Sequence, residues 1–128
     1  MQSFENLKVW RRAHGLTMEL YTTTQDFPPD ERFGLTSQIR RACVSIGANL
    51  AEGCCRRSDR EFARFVEVAL GSGSEVEYLL LLAREPGHLH KTCYGSLVER
   101  LREVKRMLTR LRQRLIADSS SRRLMADN

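Results

Sequence analysis

Residues 35–55 read as a helix with almost no face for water, and that restricts what the chain can fold into. At about 100° per residue, Leu35, Ile39, Ala42, Ile46 and Leu50 fall on one apolar stripe. Gln38, Ser45, Asn49 and Glu52 make a narrow polar row along its edge. Arg40, Val44, Ala48 and Ala51 lie on the far side, where all but the arginine are small or apolar. A helix with so little polar surface packs on more than one side. The segment is therefore a bundle centre, an oligomer interface, or both.

The rest of the chain supplies three more helices. In residues 4–26, Trp10, Ala13, Thr17, Leu20, Tyr21 and Thr24 recur at spacings of three and four, with Trp10 and Tyr21 as large core anchors. His14 beside them reads as a hydrogen-bonded interhelical residue. Phe27-Pro28-Pro29 ends that helix, because proline disfavours helical geometry in the residue before it. Ser58-Asp59-Arg60-Glu61 is a capping box that starts a helix over residues 59–85, with Phe62, Phe65, Ala69, Ser72, Val76, Leu79 and Ala83 on its apolar stripe. Gly71-Ser72-Gly73-Ser74 lies inside that periodicity and has no preceding strand, so it reads as close helix approach rather than a phosphate loop. Over residues 92–118, Leu97, Leu101, Val104, Leu108, Leu111 and Leu115 form a heptad seam. Residues 119–128 read as a polar, frayed tail. The connection between the second and third helices is so short that they must be antiparallel neighbours. The expectation is one all-α domain over residues 1–118.

Charge is segregated along the chain. The protein carries a formal net charge of +5. Residues 31–57 sum to +3, residues 58–86 to −3 and residues 87–118 to +5. The basic surface should then come from the second and fourth helices. Arg102, Arg106, Arg110 and Arg114 form an unbroken ridge at i, i+4 spacing, joined by Arg40, Arg41, Arg56 and Arg57 on and after the second helix. Two readings stand side by side. One is a solvated face relieved by Glu99, Glu103 and the acidic third helix. The other is a phosphate-binding stripe, favoured by the use of arginine almost to the exclusion of lysine.

Several function classes find no support. No apolar run reaches the length of a membrane span, and the first residues lack the basic and apolar regions of a secretory leader. Cys43, Cys54, Cys55 and Cys93 show no C-x-x-C spacing, so the expectation is reduced thiols in the cytoplasm. His88, His90 and Cys93 lie close together but no fourth zinc ligand follows at a structural spacing, and loop polarity is the reading. There is no nucleophile elbow, H-E-x-x-H or paired carboxylate motif. A non-enzyme without metal or cofactor is expected.

Phe4, Leu7, Val9-Trp10, Tyr21, Phe27-Pro28, Glu31, Phe33-Gly34-Leu35, Gln38, Arg40-Arg41-Ala42, Ser45, Asn49, Ala51-Glu52-Gly53, Ser58, Glu61-Phe62, Ala69, Gly71-Ser72 and Glu75 resemble, in order and spacing, the 23S rRNA intervening-sequence protein family of bacterial four-helix bundles. The stretch from Ser45 to Gly53 is the most specific part. The resemblance implies an up-down-up-down antiparallel four-helix bundle that assembles as a ring-like homopentamer, with no catalytic residues to carry over. The family is similar to the accessory variability determinant proteins, which partner the reverse transcriptase of diversity-generating retroelements and bind RNA. RNA or RNA–DNA, a reverse transcriptase and further copies of the chain are thus the implied partners. A protein-interaction scaffold without a nucleic-acid role is the alternative. Seen this way, Gln38, Ser45, Asn49 and Glu52, facing Ser72 and Glu75, are expected to form a buried hydrogen-bond network that sets helix register.

Overall fold

The computed structural model describes residues 3–127. Its helices are α1 (Lys8–Thr24), α2 (Leu35–Cys54), α3 (Asp59–Arg84) and α4 (Lys91–Asp127), with no strand among the described residues. Each packs against its neighbours in sequence, and α1 closes the ring of four on α4. The result is an antiparallel four-helix bundle. The α2–α3 and α3–α4 contacts are the most extensive, and α1 is the least embedded helix.

Local chemistry accounts for most helix ends. Leu7 is extended, which separates a 3₁₀ turn at Phe4–Asn6 from the start of α1 at Lys8. Pro29 opens a second 3₁₀ turn, Pro29–Glu31, in the α1–α2 connection. The Ser58 hydroxyl accepts the Glu61 backbone N–H at 3.2 Å, satisfying a donor that α3 leaves unpaired. Gly87, at φ +92°, makes the reversal after α3. His90 then caps α4, its Nδ1 accepting the Thr92 N–H at 3.2 Å.

The core is aliphatic. Leu16 and Leu20 of α1, Ile39, Ile46 and Leu50 of α2, Val66, Val76 and Leu80 of α3, and Leu101, Val104 and Leu108 of α4 are all essentially inaccessible to water. Each fully buried side chain of this size contributes about 1.5–3 kcal/mol. The α4 seam is buried throughout, from Leu97 to Leu115. The α3 stripe is wider than expected. Ala69, Val76, Leu79 and Ala83 are buried as expected, but Phe62, Phe65 and Ser72 are only half-buried, and Ala63, Val66, Gly73 and Leu80 are buried in addition, because α3 lies between α2 and α4 and covers both flanks.

Three further departures have physical causes. Residues 119–127, expected as a frayed tail, continue α4, since no proline or glycine follows Gly95 to stop it; Asn128 lies outside the described residues. Gly73 does sit against α4, where a Cβ would meet Lys105 Cγ at 3.2 Å, but Gly71 points into open space and serves no approach. Trp10 is half-buried and Tyr21 is 37% exposed, so neither anchors the core. They line a groove instead.

The tightest approach in the bundle is at Gly53, where an added Cβ would lie 2.6 Å from Phe62 Cδ1 and 3.0 Å from Phe65 Cβ. Gly53→Ala therefore forces α2 and α3 apart and should lower stability by about 1–3 kcal/mol. Gly95 has nothing within 4 Å of its would-be Cβ. Gly95→Ala should raise stability by up to about 1 kcal/mol. Urea unfolding midpoints of the two variants are expected to move in opposite directions.

Candidate nucleic-acid interface

The arginine ridge of α4 is split in two by its neighbours. In its first half, Arg102 reaches Glu77 of α3 at 3.3 Å and Arg106 reaches Glu99 at 3.8 Å. Lys105 also reaches Glu77, and Arg112 pairs with Glu67 of α3. These contacts commit Glu67 and Glu77 of α3 to α4. Arg110 and Arg114, in the second half, have no ion-pair or hydrogen-bond partner among the described residues. With Leu111 of α4, they line a groove of about 580 Å³ against Leu7, Lys8 and Val9 at the start of α1. The first half of the ridge is thus relieved by carboxylates, and the second half is left without them.

A second groove of about 500 Å³ adjoins the first through the shared Leu7 and Leu111. Arg56, Arg57, Ser58 and Asp59, from the α2–α3 turn, form its rim. Arg57 is exposed and without an ion-pair or hydrogen-bond partner among the described residues. The Arg56 guanidinium lies over the Phe65 ring, 4.8 Å from its centroid, which holds it in place while leaving its N–H edges open. Lys8, Arg56, Arg57, Arg110 and Arg114 therefore gather at one end of the bundle around two joined grooves. Lys8 was not among the residues the sequence marked; its neighbours there belong to α4, about a hundred positions away in the chain.

Arg40 and Arg41 do not join this end. Arg40 is a structural clasp between α1 and α2: Nε donates to Thr24 Oγ1 at 2.9 Å, Nη2 donates to the Tyr21 carbonyl at 3.2 Å, and the guanidinium lies 4.7 Å from the Tyr21 ring centroid. Arg41 is exposed and donates only to Ser37 of its own helix, at 3.5 Å.

The polar row of α2 is brought together in part. Ser45 Oγ and Ser72 Oγ are 2.8 Å apart across the α2–α3 contact, and Asn49 Nδ2 donates to the Ser45 carbonyl at 2.8 Å and to Ser45 Oγ at 3.0 Å. Gln38, Glu52 and Glu75 are exposed and outside this chain of bonds. A helix rotates by 100° per residue, so a row four positions long drifts away from the contact at its ends. Only its centre meets α3.

On the other flank of α2, Val44, Gly47, Ala48 and Ala51 face Phe4, Trp10, His14, Met18 and Tyr21 across a groove of about 430 Å³. The Trp10 and His14 rings stack, with centroids 4.8 Å apart. Met18 is 55% exposed, although it borders a largely apolar depression. On the outer face of α3, Val68, Gly71, Glu75, Tyr78 and Leu82 form a further exposed row at heptad spacing, with Tyr78 59% exposed.

The thiols and imidazoles are committed elsewhere. Burial pushes the Cys43 thiol above its ordinary range, against a smaller lowering by its hydrogen bond to Thr17 Oγ1 at 3.0 Å. Burial, with the neighbouring Cys55 second, pushes Cys54 up as well. Neither is a nucleophile in that form. His88 lies 3.3 Å from Glu31, while His90 caps α4 as described. No cluster of metal-ligating side chains occurs among the described residues, and no described helix is long and apolar enough to cross a membrane.

Fold and surface together define a basic antiparallel four-helix bundle with a group of open cations around two joined grooves at one end. Residues 5–110 match the family model for the 23S rRNA-intervening sequence protein, and the chain belongs to that family. The bundle is similar to the crystal structure of a protein of unknown function from the S23 ribosomal protein family of Bacteroides thetaiotaomicron, with a TM-score of 0.76 at 23% identity over 82% of this chain and 95% of that one. No curated protein matches the chain.

The clasp role of Arg40 separates it from the basic end. Arg40→Gln should lower stability by about 1–2 kcal/mol, since two hydrogen bonds and a ring contact are lost. Arg57→Gln should leave stability within about 0.5 kcal/mol. Ser45→Ala, which removes the centre of the hydroxyl chain, should cost about 1 kcal/mol, and Gln38→Ala very little. Urea denaturation of the four variants measures these differences.

Proposed function

We propose that the chain is a non-enzymatic, basic homopentamer that holds RNA, or an RNA–cDNA intermediate, by its phosphate backbone, as an accessory factor of a reverse transcriptase. The observation that carries the nucleic-acid part is the gathering of Lys8, Arg57, Arg110 and Arg114, without ion-pair partners among the described residues, around two joined grooves. Guanidinium forks suit phosphate oxygens, and cations already spent on carboxylates do not compete for them. Contacts of this kind read backbone rather than base, so affinity should depend on salt far more than on sequence.

Self-association is supported by two separate unpartnered surfaces, the apolar α1–α2 groove and the exposed heptad row of α3. Lying on different sides of the subunit, they suit a head-to-tail contact, which closes into rings. The number five and the reverse-transcriptase partner come from the family resemblance. Repetition of the basic end around a ring multiplies weak phosphate contacts through effective concentration. The same apolar surfaces favour the scaffold as second reading, in which the open cations meet acidic proteins instead.

Two measurements decide between these. Ala48→Glu places a carboxylate in the apolar groove at an exposed helix position, and should dissociate the assembly in light scattering with unchanged helix content. A wild type that is monomeric at micromolar concentration overturns the assembly. In a salt titration against single-stranded RNA, log K should fall with log salt at about −0.7 per phosphate contacted. Arg110→Gln with Arg114→Gln should weaken binding and flatten that slope without changing the oligomer. Absence of RNA binding by wild type at low salt leaves the scaffold reading in force.

A further inference from the structure

A third groove, of about 300 Å³, opens between the start of α3 and the last part of α4, on the opposite side of their contact from the two described above. Arg60 and Arg64, one turn apart on α3, stand on one wall, with Ser119 and Ser120 of α4 on the other. Ala63 and the partly exposed Ile116 also line it. Among the described residues, Glu67 is the only carboxylate lining this groove, and it is held by Arg112. Neither Arg60 nor Arg64 has an ion-pair or hydrogen-bond partner among the described residues. Two guanidiniums thus face two hydroxyl-bearing residues across a cavity whose own acid is neutralised.

We propose that this groove binds a phosphate monoester, of the kind carried at the 5′ end of an RNA strand. A monoester approaches two negative charges at neutral pH and offers three terminal oxygens, whereas an internal phosphodiester carries one charge. Two arginines one turn apart on the same wall suit the former, and the serine hydroxyls that line the groove with them supply further donors. The Ala63 and Ile116 side chains give the attached sugar or base an apolar surface. A volume of about 300 Å³ lies at the small end of ligand sites, on the scale of one terminal nucleotide. The proposal deepens the backbone-binding reading, giving the bound strand an end to be held by, and rests on it only for the source of the phosphate.

The experiment uses the full chain with one single-stranded RNA prepared with a 5′-phosphate and with a 5′-hydroxyl, and with adenosine monophosphate and adenosine as free probes. Wild type should prefer the phosphorylated strand by about tenfold, a gain within reach of two charge-assisted contacts. Arg60→Gln with Arg64→Gln should bring that ratio to one while keeping the salt dependence. Arg110→Gln with Arg114→Gln should weaken both strands and preserve the ratio. Equal wild-type affinity for the two strands overturns the site and leaves backbone binding untouched. Where wild type binds neither strand, backbone binding falls and the free probes decide. A rise in thermal midpoint with the monophosphate, absent with adenosine and lost in Arg60→Gln/Arg64→Gln, upholds the site; no rise overturns it.

Discussion

The leucine seam of α4 against α3 is the contact on which the other features depend. From Leu97 to Leu115 it is buried without a break, and it fixes which α4 residues meet which acids of α3. Glu77 and Glu67 are drawn to Arg102, Lys105 and Arg112 as a consequence. Exposed pairs of this sort contribute little to stability, about 0–1 kcal/mol each. Their larger effect is distributional. They neutralise the middle of the bundle, while Lys8, Arg57, Arg110 and Arg114 at one end stay outside these pairs.

Sandwiching α3 between α2 and α4 has a second effect, on α1. With its central neighbour buried on both flanks, α2 has only one further side to offer, and α1 covers it incompletely. The Arg40 clasp to Thr24 and Tyr21 and the Thr17–Cys43 bond hold α1 in place by polar contacts at specific points. Between them an apolar groove remains, lined by small residues of α2 and large ones of α1. The two-sided character of α2 evident from residues 35–55 therefore has a structural counterpart on each side: one side is bundle core, and the other is an apolar groove that α1 covers only in part.

What could be read from the chain, and what could not, follows from how helices bury themselves. The α4 seam, the Ser58 cap and the antiparallel α2–α3 pair were legible because each depends on residues close in sequence. Trp10 and Tyr21 were misjudged because periodicity locates a helix face without saying whether a neighbour covers it. Only part of the α3 face was legible: Ala69, Val76, Leu79 and Ala83 are buried as their spacing implies, but a helix with two neighbours has two overlapping stripes, and Ala63, Val66 and Leu80 belong to the second. Three members of the expected polar network, Gln38, Glu52 and Glu75, lie outside it for a similar reason. Periodicity places them near the edge of α2 or α3, but only tertiary docking decides how far along that edge the helices touch. Among the cations, Arg40 and Arg110 look alike in sequence; a threonine, a carbonyl and a ring make one a clasp, and an absence of carboxylates leaves the other open. Lys8 reaches the basic end by tertiary proximity alone.

Trp10 is the only tryptophan in the chain, and it sits in the groove between α1 and α2, stacked on His14. Its indole is half in water there. The chain's one tryptophan thus stands at the edge of an apolar groove. Whatever closes over that groove removes water from the indole and shifts its emission to the blue. The molecule comes with its own optical gauge for that surface.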